Sequence, residues 1–360
     1  MENPPIAVVC ARNPGRRNLG MYSVDLSAAR YFRERDLPHR LMAFSGHRRV
    51  GILSYDVLTD PRAFEDHREV VFWGDFQQNP LWGFCNYAPR VARTEGKTLS
   101  EAVAEWRRRF LLEGVPIAEG QRFYSVGTCF LGARDFLERV GLDREGYRRL
   151  LSRFAAIVPR DDVSYRQIAE LGVTNLLRGF DCASLLDHPA RRPEASGHFA
   201  YAFGRSIPPR KGKAFVKRLA EALGLQAVRI AWFLGKYRLK NVARRYESAI
   251  ETLRTAEFLV TDIYHLTINA LNAGCPVYCV GREGESFSDT CDDFKKRVLM
   301  EMLGSEDDYF AFPEGELDLA RFLSEAIVRR RPPGGTSGSR FRAIKGSFRE
   351  TLARLWTVVG

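Results

Sequence analysis

Phe258-Leu259-Val260-Thr261-Asp262-Ile263-Tyr264-His265 opens the stretch that settles the fold class. Four apolar or β-branched residues end at an acid, and a helical pattern then runs on to Ala273. Gly274-Cys275-Pro276 stops it, and Val277–Val280 is a second short apolar run. Strands this short and this continuously apolar are buried on both faces. The connection between them is long enough for a crossover helix, so the pair is expected to be parallel.

The same rhythm extends in both directions. In the first half, strands are expected at Ile6–Cys10, Val70–Trp73, Arg122–Val126, Ala155–Val158 and Leu176–Arg178. Helices are expected near Asp25–Arg35, Leu99–Glu113, Asp143–Arg153 and Ser164–Leu171. After His188-Pro189-Ala190-Arg191-Arg192-Pro193, a candidate linker, strands at Phe199–Phe203 and Ala227–Ile230 precede the pair above. Helices are expected at Lys211–Leu223, Asn241–Leu253, His265–Ala273, Asp292–Leu303 and Leu317–Val328. The expected architecture is α/β: two Rossmann-like domains facing across a cleft, GT-B-like, with residues 1–188 as the first and 189–330 as the second. Residues 331–360 read as a basic linker, Pro332–Ser339, and an amphipathic helix. The helix is expected to pack its stripe of Ile344, Phe348, Leu352, Leu355, Trp356 and Val359 on the first domain.

Composition narrows the functional classes. The 360 residues are 45% hydrophobic and carry a formal charge of +11. Residues 329–360 hold eight Arg or Lys against the single acid Glu350, which is +7 of that +11. The excess is therefore local and argues against a nucleic-acid-binding surface. The tail suggests weak contact with anionic lipid as the alternative to packing. Seven cysteines with no Cys-x-x-Cys, and six scattered histidines, predict reduced thiols and no metal site. Met1-Glu2-Asn3-Pro4-Pro5 lacks a basic region, and Ile6–Ala11 is too short for a signal-peptide core. The expected location is the cytoplasm, or the inner face of the membrane as a peripheral protein.

Ligands of open α/β sheets bind beyond the carboxyl ends of strands, and four segments there carry chemistry. Arg12-Asn13-Pro14-Gly15-Arg16-Arg17-Asn18-Leu19-Gly20 is a basic turn before a helix, an anion site or simply a loop. Trp73-Gly74-Asp75-Phe76-Gln77-Gln78-Asn79 offers an acid and amides to sugar hydroxyls, or a capped turn. In Arg160-Asp161-Asp162-Val163-Ser164 an aspartate can cap the next helix, which leaves the arginine unexplained. In Thr261-Asp262-Ile263-Tyr264-His265, Asp262 is expected to cap the helix and aim the imidazole.

In order and spacing these segments resemble the polysaccharide pyruvyl transferase family across roughly residues 6–330. Arg160-Asp161-x-x-Ser164, Leu171-Gly172 and Phe180-Asp181-Cys182-Ala183 are similar to its Arg-Asp-x-x-Ser helix and following strand. Thr261-Asp262-x-x-His265 with Ala270, Gly274 and Pro276 resembles its histidine helix, and Asn18-Leu19-Gly20 its opening Asn-x-Gly. The resemblance implies transfer of the pyruvyl unit of phosphoenolpyruvate to two sugar hydroxyls, forming a ketal and releasing phosphate, with no cofactor. It implies an acceptor that is a saccharide or related polyol, lipid-linked in one reading. His265 would be the acid or phosphate contact, and Arg205, after strand Phe199–Phe203, an anion clamp. Asp75 stands as a second catalytic candidate. Arg282, Arg12, Asn18 and Gly20 are candidates for the donor, and Arg160, Asp161, Ser164, Asp262, Tyr264 and Gln77 for the rest of the cleft. Two positions depart: the usual Arg two before the histidine is Ile263, and the usual Asp after Asn-x-Gly is Met21. Another arginine then takes over, or the donor differs. A glycosyl or group transferase with a nucleotide-activated donor is the runner-up, and a non-catalytic binding protein the third reading.

Overall fold

The computed structural model describes residues 4–10, 18–44, 48–189, 191, 197–233, 239–284, 292–313, 317–328 and 336–357. Two compact units emerge: residues 1–15, 24–185 and 347–360 form the first, and residues 16–23 and 186–346 the second.

The first unit is built on a six-stranded parallel sheet. Its strands are β1 (Ile6–Cys10), β2 (His39–Ala43), β5 (Asp56–Val57), β6 (Glu69–Trp73), β7 (Arg122–Thr128) and β8 (Ala156–Pro159), in the order β5-β2-β1-β6-β7-β8. The two-residue strands β3 (Arg49–Val50) and β4 (Leu53–Ser54) form an antiparallel hairpin beside it. Every residue of β1 and β6 is buried, as expected of central parallel strands covered on both faces. Val8 sits between Leu41 and Val71 in the ladder. The covering helices are α1 (Leu19–Arg33), α2 (Ala88–Glu95), α3 (Leu99–Phe110), α4 (Arg144–Leu151) and α5 (Asp162–Ala169). Thr98 and Glu101 form a reciprocal capping box at α3, and Asp143 caps α4. Phe72, Trp106, Phe110, Phe123 and Phe154 fill the core between sheet and helices.

The second unit holds a five-stranded parallel sheet. Its strands are β9 (His198–Ala202), β10 (Gln226–Arg229), β11 (Leu259–Thr261), β12 (Val277–Arg282) and β13 (Tyr309–Phe312), in the order β10-β9-β11-β12-β13. Helices α6 (Pro209–Leu223), α7 (Val242–Thr255), α8 (Tyr264–Asn272), α9 (Asp292–Met302) and α10 (Leu319–Val328) connect or cover these strands. Phe199, Phe215, Val260, Val280, Phe310 and Phe322 make its core.

Two expectations need correction. Leu176–Arg178 is no strand: Leu176 makes a single bridge to Ile157, and Gly179 then lies so close to Val158 that a Cβ would meet it at 2.5 Å. Thr336–Ser339, read as linker, is the start of α11 (Thr336–Thr357), because Phe341 is 2% exposed and the buried anchor draws the preceding turn into the helix. In the candidate linker His188–Pro193, Arg191 donates to the carbonyls of Ala256 and Glu257 at 3.1 Å. Cys10, Cys129, Cys182, Cys275 and Cys279 are buried free thiols, and Cys85 an exposed one. Among the described residues no helix is long and apolar enough to cross a membrane.

Candidate functional site

From β9 the chain of the second unit moves outward to β10 and then returns to the opposite side of β9 as β11. Loops leaving the carboxyl ends of β9 and β11 therefore part in opposite directions, the place where open α/β sheets bind ligands. Asp262 follows β11 and is fully buried. Its carboxylate accepts hydrogen bonds from four consecutive backbone amides of the loop after β9: Gly204 at 3.0 Å, Arg205 at 2.9 Å, Ser206 at 2.8 Å and Ile207 at 2.9 Å. Backbone amides turned inward in this way form an anion nest. The nest already holds the protein's own carboxylate, and the Arg205 side chain extends from it. That guanidinium lies 5.1 Å from the centre of the Phe233 ring.

The expected capping role of Asp262 is not what the structure shows. Ile263 precedes α8 in extended conformation, 3% exposed, and no side chain caps the helix. Adjacent strands hold the 204–207 amides beside Asp262, and that neighbour takes the carboxylate.

Arg282 ends β12, and its backbone N–H and Nε donate to Asp293 at 3.2 and 3.1 Å. Asp293 and Lys296 are both fully buried, with Nζ 2.5 Å from the carboxylate. Lys296 also donates to the Asp262 carbonyl at 2.8 Å, and the Ser206 hydroxyl donates to Asp293. Asp293 thus ties together the loops after β9, β11 and β12. At Gly281 an added Cβ would lie 2.3 Å from the Tyr309 hydroxyl and 3.0 Å from Asp293, so any side chain would push the network apart. The sequence reading missed Ser206, Asp293 and Lys296. Their only signal is an acid and a lysine three apart in Asp292-Asp293-Phe294-Lys295-Lys296, which ordinarily marks a solvated helix face.

His265 lies in the first turn of α8 and is half-buried. A Cβ on Gly20 would sit 2.6 Å from the His265 Cβ and 2.9 Å from its Nδ1, so the bare glycine is what lets the ring seat there. Asn18 accepts from the Gly20 amide at 2.8 Å and starts α1. One helical turn beyond the histidine, Asn269 donates to the His265 carbonyl at 2.7 Å and to Ser23 Oγ at 3.1 Å. The Tyr264 ring meets the imidazole edge-on at 5.4 Å. Asn18, Gly20, Tyr264 and His265, read from separate motifs, are thus brought together. Arg12 lies outside the described residues.

In the first unit the loop after β6 is bent through Gly74 at φ 109° and Phe76 at φ 61°, a left-handed conformation that costs a non-glycine residue about 1–2 kcal/mol. It places Asp75 3.1 Å from Nη1 of Arg160. Arg160 is 1% exposed and also lies 3.7 Å from Asp181 and 3.6 Å from Asp161. This explains the arginine: it is the cation among three carboxylates. Asp161 caps α5 through the Ser164 amide at 2.7 Å, and the Ser164 hydroxyl donates to Asp161 while accepting from the Phe130 amide. Burial pushes the Asp161 carboxyl above the usual range, with Arg160 opposing. Burial, with Asp181 and Asp75 close by, pushes the Cys182 thiol well up and keeps it protonated. Asp75 has the most exposed side chain of the three carboxylates. Gln77 points inward, donating to the Val9 carbonyl at 3.0 Å, and holds the loop instead of lining its open side.

The family comparison bears on both groups of residues. The model of the polysaccharide pyruvyl transferase family matches residues 104–284, just over half of the chain. The chain belongs to the polysaccharide pyruvyl transferase family. The matched span contains Arg160, Asp161, Ser164, Arg205, Asp262, His265 and Arg282, whereas Asn18, Gly20 and Asp75 fall outside it. Among curated proteins none matches the chain. Of solved structures, the one described as "S. aureus MnaA-UDP co-structure" is 10% identical over 100% of this chain and 97% of that one, with a TM-score of 0.53. A putative UDP-N-acetylglucosamine 2-epimerase from Listeria monocytogenes is 8% identical, covering 99% and 97%, with a TM-score of 0.49. The glycosyltransferase SnogD from Streptomyces nogalater is 12% identical, with both chains covered in full, at 0.44. The likeness to the first is one of fold. This pyruvyl transferase family member has the two-sheet, GT-B-like α/β fold.

Proposed function

We propose that this family member moves the pyruvyl unit of phosphoenolpyruvate onto two hydroxyls of a saccharide or related polyol, free or lipid-linked. One hydroxyl adds to the substituted enol carbon while the terminal methylene carbon takes a proton. Phosphate leaves as its bond to the former enol carbon breaks, and the second hydroxyl closes the ketal at that same carbon, each hydroxyl giving up its proton to a base. The steps need a cationic seat for phosphate and carboxylate, a proton donor and a base. His265 is the proton donor or phosphate contact. Arg205 and Arg282 supply positive charge, joined in this reading by Arg12, and Asp75 takes the hydroxyl proton.

One observation carries this reading. His265 is half-buried in the first turn of a helix that no side chain caps, beside the point where the strand order reverses. The amides of that turn favour a departing anion. Asn18 and Gly20 belong to the same proposed donor seat, with Tyr264 against the imidazole. Asp262 is its framework, and Asp161 and Ser164 are that of Asp75 and Arg160.

A nucleotide-activated donor is the second reading. It is favoured by Ile263, which is buried at 3% exposure where the family resemblance calls for an arginine. Thermal stabilisation separates the two. Phosphoenolpyruvate should raise the melting temperature and yield phosphate in the presence of a saccharide acceptor. A rise with UDP-sugars alone would overturn the pyruvyl reading in favour of the second.

A further inference from the structure

A cavity of about 450 Å³ opens in the first unit, and none of its lining comes from the loops that carry Asp75 and Arg160. Leu26, Leu41 and Leu53, all buried, form an apolar floor. Its polar wall is basic: Arg30 and Arg33 from the last turn of α1, and His39 and Arg40 from the start of β2. At the rim stands Ile52, 69% exposed, on the tight turn of the β3–β4 hairpin after Gly51. Arg48 and Arg49, in the same hairpin, are exposed as well.

The cavity's one carboxylate does not neutralise this face. Asp56 lies 3.9 Å from Arg40 with both side chains more than half exposed, a geometry that contributes little. Among the described residues neither Arg30 nor Arg33 forms an ion pair. Cations in the last turn of α1 suit its helix dipole. That accounts for Arg30 and Arg33, but not for Arg40, Arg49 or an isoleucine held out into water.

We propose that this face docks on an anionic lipid surface. The arginines hold phosphodiester headgroups at the mouth of the cavity, and Ile52 enters the boundary with the acyl chains, an amphipathic arrangement suited to a membrane interface. The inference is independent of the donor's identity. It also differs from a tail-mediated contact, because no residue beyond Asp56 takes part.

Co-sedimentation of the full chain with vesicles tests it. Phosphatidylcholine vesicles should leave the protein in solution, and vesicles containing phosphatidylglycerol should bind it in a salt-sensitive way. Each arginine removed should weaken binding about fivefold, so Arg33→Ala with Arg40→Ala should weaken it about 25-fold. Ile52→Ser should weaken it further, and Arg342→Ala with Arg354→Ala should leave it unchanged. All of these positions are exposed, and equal melting temperatures confirm intact folding. Failure of the unmodified chain to bind the anionic vesicles would overturn the proposal. So would undiminished binding by the Arg33/Arg40 variant, or loss confined to the Arg342/Arg354 variant.

Discussion

Removing the Asp262 carboxylate would leave four consecutive loop amides without their acceptor in a fully buried place. Asp262→Ala should therefore cost roughly 3 kcal/mol or more in urea unfolding. Asp262→Asn, which keeps an acceptor oxygen, should lose less, and a change in the alanine variant within about 0.5 kcal/mol, ordinary for a surface position, would contradict this role. Arg205 makes the opposite case. Its backbone belongs to the nest, but its guanidinium lies over the Phe233 ring. Arg205→Ala should thus leave the melting temperature nearly unchanged while weakening phosphoenolpyruvate binding about tenfold or more, as expected when a charge-assisted contact worth about 1.5–3 kcal/mol is lost. Calorimetric titration checks it, and equally tight binding would exclude the arginine from the donor seat. Residues at this scale were legible in type but not in partner. Asp262 read as a cap because sequence shows only its own helix, and the strand order β9-β11 gives it a neighbour more than fifty residues away. Arg160 was visible as an unexplained cation, yet its place among Asp75, Asp161 and Asp181 depends on the ends of β6 and β8 meeting a loop some twenty residues further along the chain.

Helix α11 shows what periodicity can and cannot convey. The stripe of Phe348, Leu352, Leu355 and Trp356 was readable, and all four are buried. The helix start was not, since Thr336-Ser337-Gly338-Ser339 has weak helical propensity and only the burial of Phe341 overrides it. Trp356 is 7% exposed and packs edge-on against Phe32 at 5.5 Å and Tyr124 at 5.1 Å. Trp356→Ala should cost about 3–5 kcal/mol in denaturant unfolding. A loss below about 1 kcal/mol would mean that the end of the helix is not a core element. Strands β2, β5 and β13 escaped the sequence reading. Strand β2 begins with the polar pair His39-Arg40, β5 is two exposed residues, and β13 alternates half-buried with buried residues at a sheet edge. Such strands carry too little continuous apolar pattern to stand apart from loops.

On the scale of the whole molecule, the two units exchange chain. Residues 16–23 belong to the second unit although β1 and most of α1 belong to the first, and the end of α11 returns to the first. A fragment of residues 1–188 would lack Trp356 and uncover Phe32 and Tyr124, so it should unfold at a lower temperature than the full chain. Circular dichroism melting checks this, and an equally stable fragment would contradict it. The alternation of strands and helices made two parallel sheets legible from sequence, whereas this exchange has no local signature. His265 carries the proposed chemistry. In the full chain, phosphate release from phosphoenolpyruvate with a saccharide acceptor should fall by about 10²–10⁴-fold in His265→Asn, the range for a lost general acid, with the melting temperature unchanged. Near-normal turnover in a well-folded His265→Asn protein would contradict the account.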